Sequence, residues 1–311
     1  MESLFQLIFA GDFFYSTIRL ATPLLLAALG GLFSERAGVL SLGMEGMMLG
    51  GTLLGFLGSY FTGSPWLGIF IAALGGLVVA LLYALVTVTF RADQVVASVG
   101  INIIMMGLTG VIYRGIFGTT LSQQIVAPAL KPLAIPGLAQ IPFLGPVLFD
   151  HLAMVYVAFL LVPITYHVLY HTTWGLKIRA VGEYPLAADT LGVNVFLTRY
   201  LAILVSGFLA SAAGALLSIG YLNMFMENMT AGRGFIAFSA IIFGKWTPLG
   251  TMAACLVFGA ADALQLRIQA FGLGLPYQLA VMFPYAITLL ALLFVGRSQG
   301  PAAAAIPYSK D

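Results

Sequence analysis

The chain has 311 residues, 61% of them hydrophobic and only 8% charged, with a formal net charge of +2 and a mean hydropathy of +1.04. Soluble domains carry about 25% charged residues, so this composition excludes a soluble enzyme or binding module, and the scattered charges exclude a nucleic-acid polymer as partner. The single cysteine, Cys255 in an apolar run, excludes an intrachain disulfide and a cysteine-rich zinc site.

Residues 1–12 lack the basic start of a signal peptide and read as a short interfacial stretch before a retained first span. A membrane span needs about 20 mostly apolar residues. Such runs lie near 16–34, 39–60, 66–90, 95–116, 151–172, 200–220, 249–270 and 276–296, with a shorter half-span or re-entrant piece at 232–244. The expectation is one all-α, polytopic membrane domain over 1–311 with about 8–10 transmembrane helices. Trp66, Trp174 and Trp246 fall at span ends, where indole rings favour the headgroup layer.

The second run is rich in glycine and contains Glu45. Gly46 with Gly50, and Gly51 with Gly55, have the spacing that lets helix backbones approach closely. A lone acid in such a run has three readings: a group lining a transport path, a charge partner holding a broken helix, or an interfacial capping acid. The fourth run carries Ser98, Asn102, Met105 and Thr109 at helical spacing, a mildly polar stripe that fits either helix contact or a path lining. Residues 117–150 hold Pro128, Pro132, Pro136, Pro142 and Pro146 and predict an irregular external loop, either a lid or a plain connector. His151, His167 and His171 share one run without a third ligand, so no metal site is expected.

The most charged stretch is 174–199. Pro185 suits a first helical position and Gly192 the residue just past a helix end, which predicts a helix of about two turns on one side of the membrane. Connections between helices usually take about 2–8 residues, and the surplus here points to a docking surface. The short seventh segment, with Gly232, Gly234 and Ser239, echoes the glycine-rich second run. Paired interrupted segments in two halves of a chain point to an inverted repeat with a central site. Glu45, Ser98, Asn102, Thr109 and Ser239 are therefore the candidate path residues. Asp262, Gln265 and Gln269 make another polar face near the end of the eighth segment, and the tail from Gly300 reads as disordered.

No GxxxxGK[ST] phosphate loop, HExxH, CxxC or Ser-His-Asp pattern appears, so neither catalysis nor a cofactor is expected, and any ATP must bind another chain. With 174–199 placed in the cytoplasm, eight Lys and Arg residues lie inside (Arg36, Arg91, Lys177, Arg179, Arg199, Lys245, Arg297, Lys310) and four outside (Arg114, Lys131, Arg233, Arg267). That bias puts the N-terminus outside and the C-terminus in the cytoplasm.

The stretch from Thr173 through Trp174-Gly175-Leu-Lys177-Ile-Arg179-Ala-Val-Gly182-Glu183-Tyr-Pro185 to Gly192-Val-Asn194 resembles the coupling loop of ATP-binding-cassette (ABC) importer permeases of the ribose and branched-chain amino acid type. Ser206-Gly207 onward, and Gly232-Arg-Gly234 leading to Phe243-Gly-Lys-Trp246, fit the same family. With Glu35-Arg36-Ala-Gly38 and Met44-Glu45-Gly46-Met47, the chain is most similar to the nucleoside-importer branch, although Tyr184 and Leu42 depart from its pattern. The resemblance implies a type II importer-like permease fold in the cytoplasmic membrane, in contact with membrane lipid. It implies a separate ABC ATPase subunit docked on Gly175, Lys177, Arg179, Gly182, Glu183, Pro185, Ala187, Ala188 and Gly192. Bulk or charge at Gly182 or Ala188 is expected to spoil that docking. A second homologous permease (a heterodimer, with a homodimer as alternative) and an extracytoplasmic solute-binding lipoprotein complete the implied assembly. A sugar or branched-chain amino acid is the alternative solute. A secondary transporter is the alternative class, but ion coupling calls for clustered acids at mid-membrane, and the spans hold isolated ones.

Overall fold

The computed structural model describes residues 11–118, 125–134, 136–137, 141, 144–270, 282, 286 and 300–310. The expected interfacial segment, apart from its last two residues, and the expected last span at 276–296, apart from two isolated positions, lie outside them. Eleven helices follow in order: α1 (Gly11–Arg36), α2 (Met44–Thr62), α3 (Pro65–Ala84), α4 (Gln94–Phe117), α5 (Leu144–Leu148), α6 (Ala153–His171), α7 (Thr173–Glu183), α8 (Pro185–Thr190), α9 (Val195–Ala215), α10 (Arg233–Phe243) and α11 (Pro248–Ala270). Wider π turns extend α3 through Thr89 and α9 through Leu222. Among the described residues, α1, α3, α4, α6, α9 and α11 are long and apolar enough to cross a membrane.

The core forms where α1 is enclosed by α9, α10 and α11. Leu24, Leu25, Leu26, Leu29 and Leu32 of α1 are all fully buried there. Helix α2 is wedged between α4 and α9 by glycine. Gly46 and Gly50 lie against Asn102 and Met105 of α4, while Gly51 and Gly55 lie against Ser211 and Ala215 of α9. Each expected glycine pair thus serves a different neighbour, and a side chain at any of the four would push into it.

The second run is not one continuous helix. After Arg36 the chain doubles back through 37–43, and Ser41 donates to the carbonyl of Gly31, so α2 starts beside the interior of α1. Gly31 lies five residues before Arg36, about 7.5 Å along a helix axis. Glu45 therefore stands in the first turn of α2. Helix α10 has 11 residues and reaches about 16 Å, half a bilayer.

In the loop expected to be external, Pro132–Ala134 (β1) pairs antiparallel with Asp150–Leu152 (β2), a small exception to an all-helical chain. The loop is pinned by Ala127 N donating to the carbonyl of Asn223, Leu130 N to Ile219 and Ser59 Oγ to Pro128. The buried His151 ring stacks on Tyr15 at 4.5 Å and meets the Val147 carbonyl at 2.8 Å. Burial lowers its pKa below the ordinary histidine range. No group able to hold a metal occurs among the described residues.

Two expectations are corrected. Trp246 does not face headgroups: its ring is 9% exposed and its indole nitrogen donates to Glu35 at 3.3 Å. The tail is not disordered: residues 300–310 lie docked against α7, α8 and the start of α9.

Candidate functional site

The irregular stretch between α1 and α2 leaves backbone groups that water cannot satisfy inside a membrane, and such backbone persists only where protein supplies partners. The partners come from named side chains. Gln94 accepts from Leu40 N at 2.8 Å, Tyr83 donates to Leu40 O at 2.7 Å, and Glu35 accepts from Ser41 N at 2.6 Å. Asn102 donates to Leu42 O at 3.1 Å and accepts from Gly46 N at 2.8 Å, closing the start of α2 from a neighbouring helix.

Glu45 is 7% exposed, and no lysine or arginine pairs with it among the described residues. One hydroxyl and two peptide N–H groups hold it instead. Its Oε1 accepts from Thr230 Oγ1 at 2.5 Å and Gly232 N at 2.9 Å, and its Oε2 accepts from Gly234 N at 2.6 Å. The donors sit at the N-terminus of α10, where the partial positive end of a helix favours an anion. Two glycines make this possible. Gly232 has φ +85°, in the left-handed region, and Gly234 lies so close to the backbone of Glu45 that a Cβ would be 2.5 Å from its Cα. Helix α2 leaves this node toward the proline-rich loop and α10 leaves it toward the turn at 244–247. Two interrupted helices therefore converge, N-terminus to N-terminus, on one carboxylate. Glu45 thus bridges the starts of two interrupted helices through neutral donors.

The polar stripe of α4 faces inward. Ser98 is buried and donates to Gln94 O at 2.7 Å with Tyr83 Oη 3.0 Å away. Buried Met105 meets Gly50, and buried Thr109 donates to Met105 O at 2.7 Å. Ser98, Asn102, Met105 and Thr109 thus form a contact face toward α2. Ser239 is half-buried on α10 and donates to Phe235 O at 3.0 Å, without joining the Glu45 node. The node's donors at Thr230 and Gly232 escape sequence reasoning, because 185 residues separate Thr230 from Glu45. The lone acid and the paired glycines were the available signals.

On the face of the molecule where α1 ends, the expected short helix is present as α8, with Pro185 in its first position and Gly192 at φ +81° beyond its end. The sequence did not reveal that α7 precedes it as a helix. Thr172 caps α7 by accepting from Gly175 N at 3.1 Å. The nine residues expected to couple to an ATPase divide by direction. Lys177, Glu183, Ala187 and Gly192 are exposed, whereas Pro185 is half-buried and half-buried Arg179 lies over the Tyr170 ring at 5.1 Å. Gly175, Gly182 and Ala188 are buried. A side chain at Gly175 would collide with the Val168 carbonyl, and one at Gly182 with the Arg36 carbonyl. Bulk at Gly182 or charge at Ala188 therefore acts through packing beneath the helices. The outward surface is made by Tyr184 (64% exposed), Leu186 (51%) and Leu191 (84%).

The family of branched-chain amino acid transport system permease components matches residues 13–292. The guanosine ABC transporter permease protein NupQ of Bacillus subtilis is 38% identical over 95% of this chain and 95% of its own length. A Haloferax volcanii protein named "Putative glucose ABC transporter permease protein TsgC13" is 40% identical over 86% of this chain and 80% of its own. The nucleoside ABC transporter permease protein NupC of Lactococcus lactis is 35% identical over 98% of both. B. subtilis and L. lactis each supply a second, more distant match, NupP at 26% and NupB at 23% identity. No solved structure matches the chain. With multiple apolar spans, two interrupted helices meeting at a buried acid and a match over nearly its whole length, the chain belongs to the permease-component family of branched-chain amino acid ABC transport systems.

Proposed function

We propose that this chain is the permease subunit of an ABC importer for nucleosides, with α7 and α8 as the element that docks a separate ATPase chain. The carrying observation is the exposed apolar surface of Tyr184, Leu186 and Leu191 around a capped six-residue helix, beside exposed Lys177 and Glu183. Such a patch, rimmed by charge, fits a protein partner better than lipid or water. On this reading the docking face is cytoplasmic, the N-terminus lies outside, and the pinned external loop faces a solute-binding lipoprotein. Two homologues in each of two organisms favour a second, different permease as partner, with a copy of this chain as the alternative. The path residues Glu45, Ser98, Asn102, Thr109 and Ser239 then act chiefly by holding the interrupted helices on which a path is built. A sugar is the second reading of the solute, favoured by the identity to TsgC13.

Two measurements test this. Leu191→Arg is expected to abolish co-purification of the ATPase with normally inserted permease, and retained co-purification refutes the docking role. Uptake of labelled guanosine that excess adenosine suppresses and excess glucose does not assigns the solute, whereas suppression by glucose alone supports the sugar.

A further inference from the structure

Residues 300–310 touch separate parts of the docking face in turn. Gly300 lies on the Trp246 ring, where an added Cβ would be 2.8 Å from Cζ2. Ala302 N donates to the Glu183 carboxylate at 3.3 Å and Ala303 N to the Gly182 carbonyl at 2.9 Å. The Ile306 carbonyl accepts from Arg199 Nη1 at 3.1 Å, which is the hydrogen bond that buried guanidinium makes among the described residues. Tyr308 is 5% exposed and joins Val181, Ala188 and Val195 in a small separate core, its ring edge-on to Phe196 at 5.4 Å. Lys310 Nζ lies 3.5 Å from Asp189.

A six-residue helix does not hold itself, since isolated helices below about 12 residues are marginal. The side chain that fills the space under α8 is Tyr308, from a segment more than a hundred residues later in the chain. At its other end the segment rests on Trp246, which is itself gripped. Glu35 accepts from its indole and Arg36 Nε donates to its carbonyl at 2.8 Å. Trp246 lies just past the end of α10, and the start of α10 is the Glu45 node.

We propose that residues 300–310 are a strap that positions α7 and α8 and ties them to α10, so that displacement of the docking helices reaches the Glu45 node. Tyr308 and Arg199 are its positioning residues. The inference rests on the reading of α7 and α8 as the ATPase-docking element.

The test uses the complete transporter in lipid nanodiscs, with amide-hydrogen exchange compared between ATP-bound and nucleotide-free states. In the wild type, ATP is expected to change exchange in both 173–192 and 233–247. In Tyr308→Ala the change in 233–247 falls at least about threefold relative to the change in 173–192. Tyr308→Phe, which keeps the ring, restores it. Lys310→Glu, at the exposed end of the strap, gives a smaller loss in the same direction and decides the matter if Tyr308→Ala does not fold. A wild-type response in 233–247 in both Tyr308→Ala and Lys310→Glu overturns the strap. If Leu191→Arg leaves the ATP response of 173–192 intact, the docking reading fails and the strap's role falls with it. Loss in Leu191→Arg with no effect of Tyr308→Ala or Lys310→Glu removes the strap alone.

Discussion

Glu45 shows how one side chain fixes the centre of this molecule. A bare carboxylate at that depth costs several kcal/mol, and three donors with a helix N-terminus offset the cost. Hydrogen bonds to a charged group contribute about 1.5–3 kcal/mol each. Glu45→Gln loses the charge and retains one acceptor oxygen, leaving a peptide N–H of α10 without a partner. The expected result is about 2–4 kcal/mol of destabilisation, visible as a lower melting temperature in detergent. Equal melting temperatures for Glu45→Gln and wild type would return Glu45 to a path lining. Its importance was legible, because an acid in a glycine-rich apolar run is conspicuous. Its partners were not, since hydrophobic periodicity says nothing about which N-terminus meets which carboxylate. Trp246 failed for a related reason. Its position at a span end was right, but an indole N–H that finds a buried acceptor stays inside.

At the level of elements, the long spans were readable because about 20 apolar residues in a row have few other uses. The interruptions were harder. Residues 37–43 are apolar enough to merge with α2 in any hydropathy window, and only Gln94, Tyr83, Glu35 and Asn102 reveal that their backbone is not helical. The polar stripe of α4 was visible, and Asn102 is the member of it that satisfies that backbone. Asn102→Leu removes a cap from another helix, and side-chain caps contribute about 0.5–2 kcal/mol. A loss in that range with reduced transport is expected, and full stability with reduced transport would instead place Asn102 in the path. Helix α7 was missed because Lys177, Arg179 and Glu183 made it read as loop. Its buried positions Gly175, Ile178, Val181 and Gly182 nevertheless recur at the helical period.

For the whole molecule, the turn after α1, helices α7 and α8, the turn after α10 and the strap share one face, and the pinned proline-rich loop with its ribbon occupies the other. The excess of Lys and Arg in the segments expected on that face predicts a cytoplasmic orientation for it. The check is a pair of engineered cysteines, Leu133→Cys in β1 and Leu191→Cys past α8, both at exposed sites. Cys255 is buried and adds no background. A membrane-impermeant maleimide is expected to label position 133 in intact cells and position 191 only after lysis, and the reverse pattern inverts the assignment. The strap was illegible, because its sequence of Pro, Ala and Ile has no periodicity, and its order comes from what it touches.

Four of the five glycines of α2, Gly46, Gly50, Gly51 and Gly55, carry a genetic consequence. Met105 at Gly50 has a flexible end that can turn aside, but Gly46, Gly51 and Gly55 face the backbone or Cβ of another helix. Every codon change that replaces one of those three adds volume where the neighbour cannot retreat. Those three codons are expected to tolerate silent drift and little else, with compensating variation in the neighbours that could shrink, Ala215 first among them.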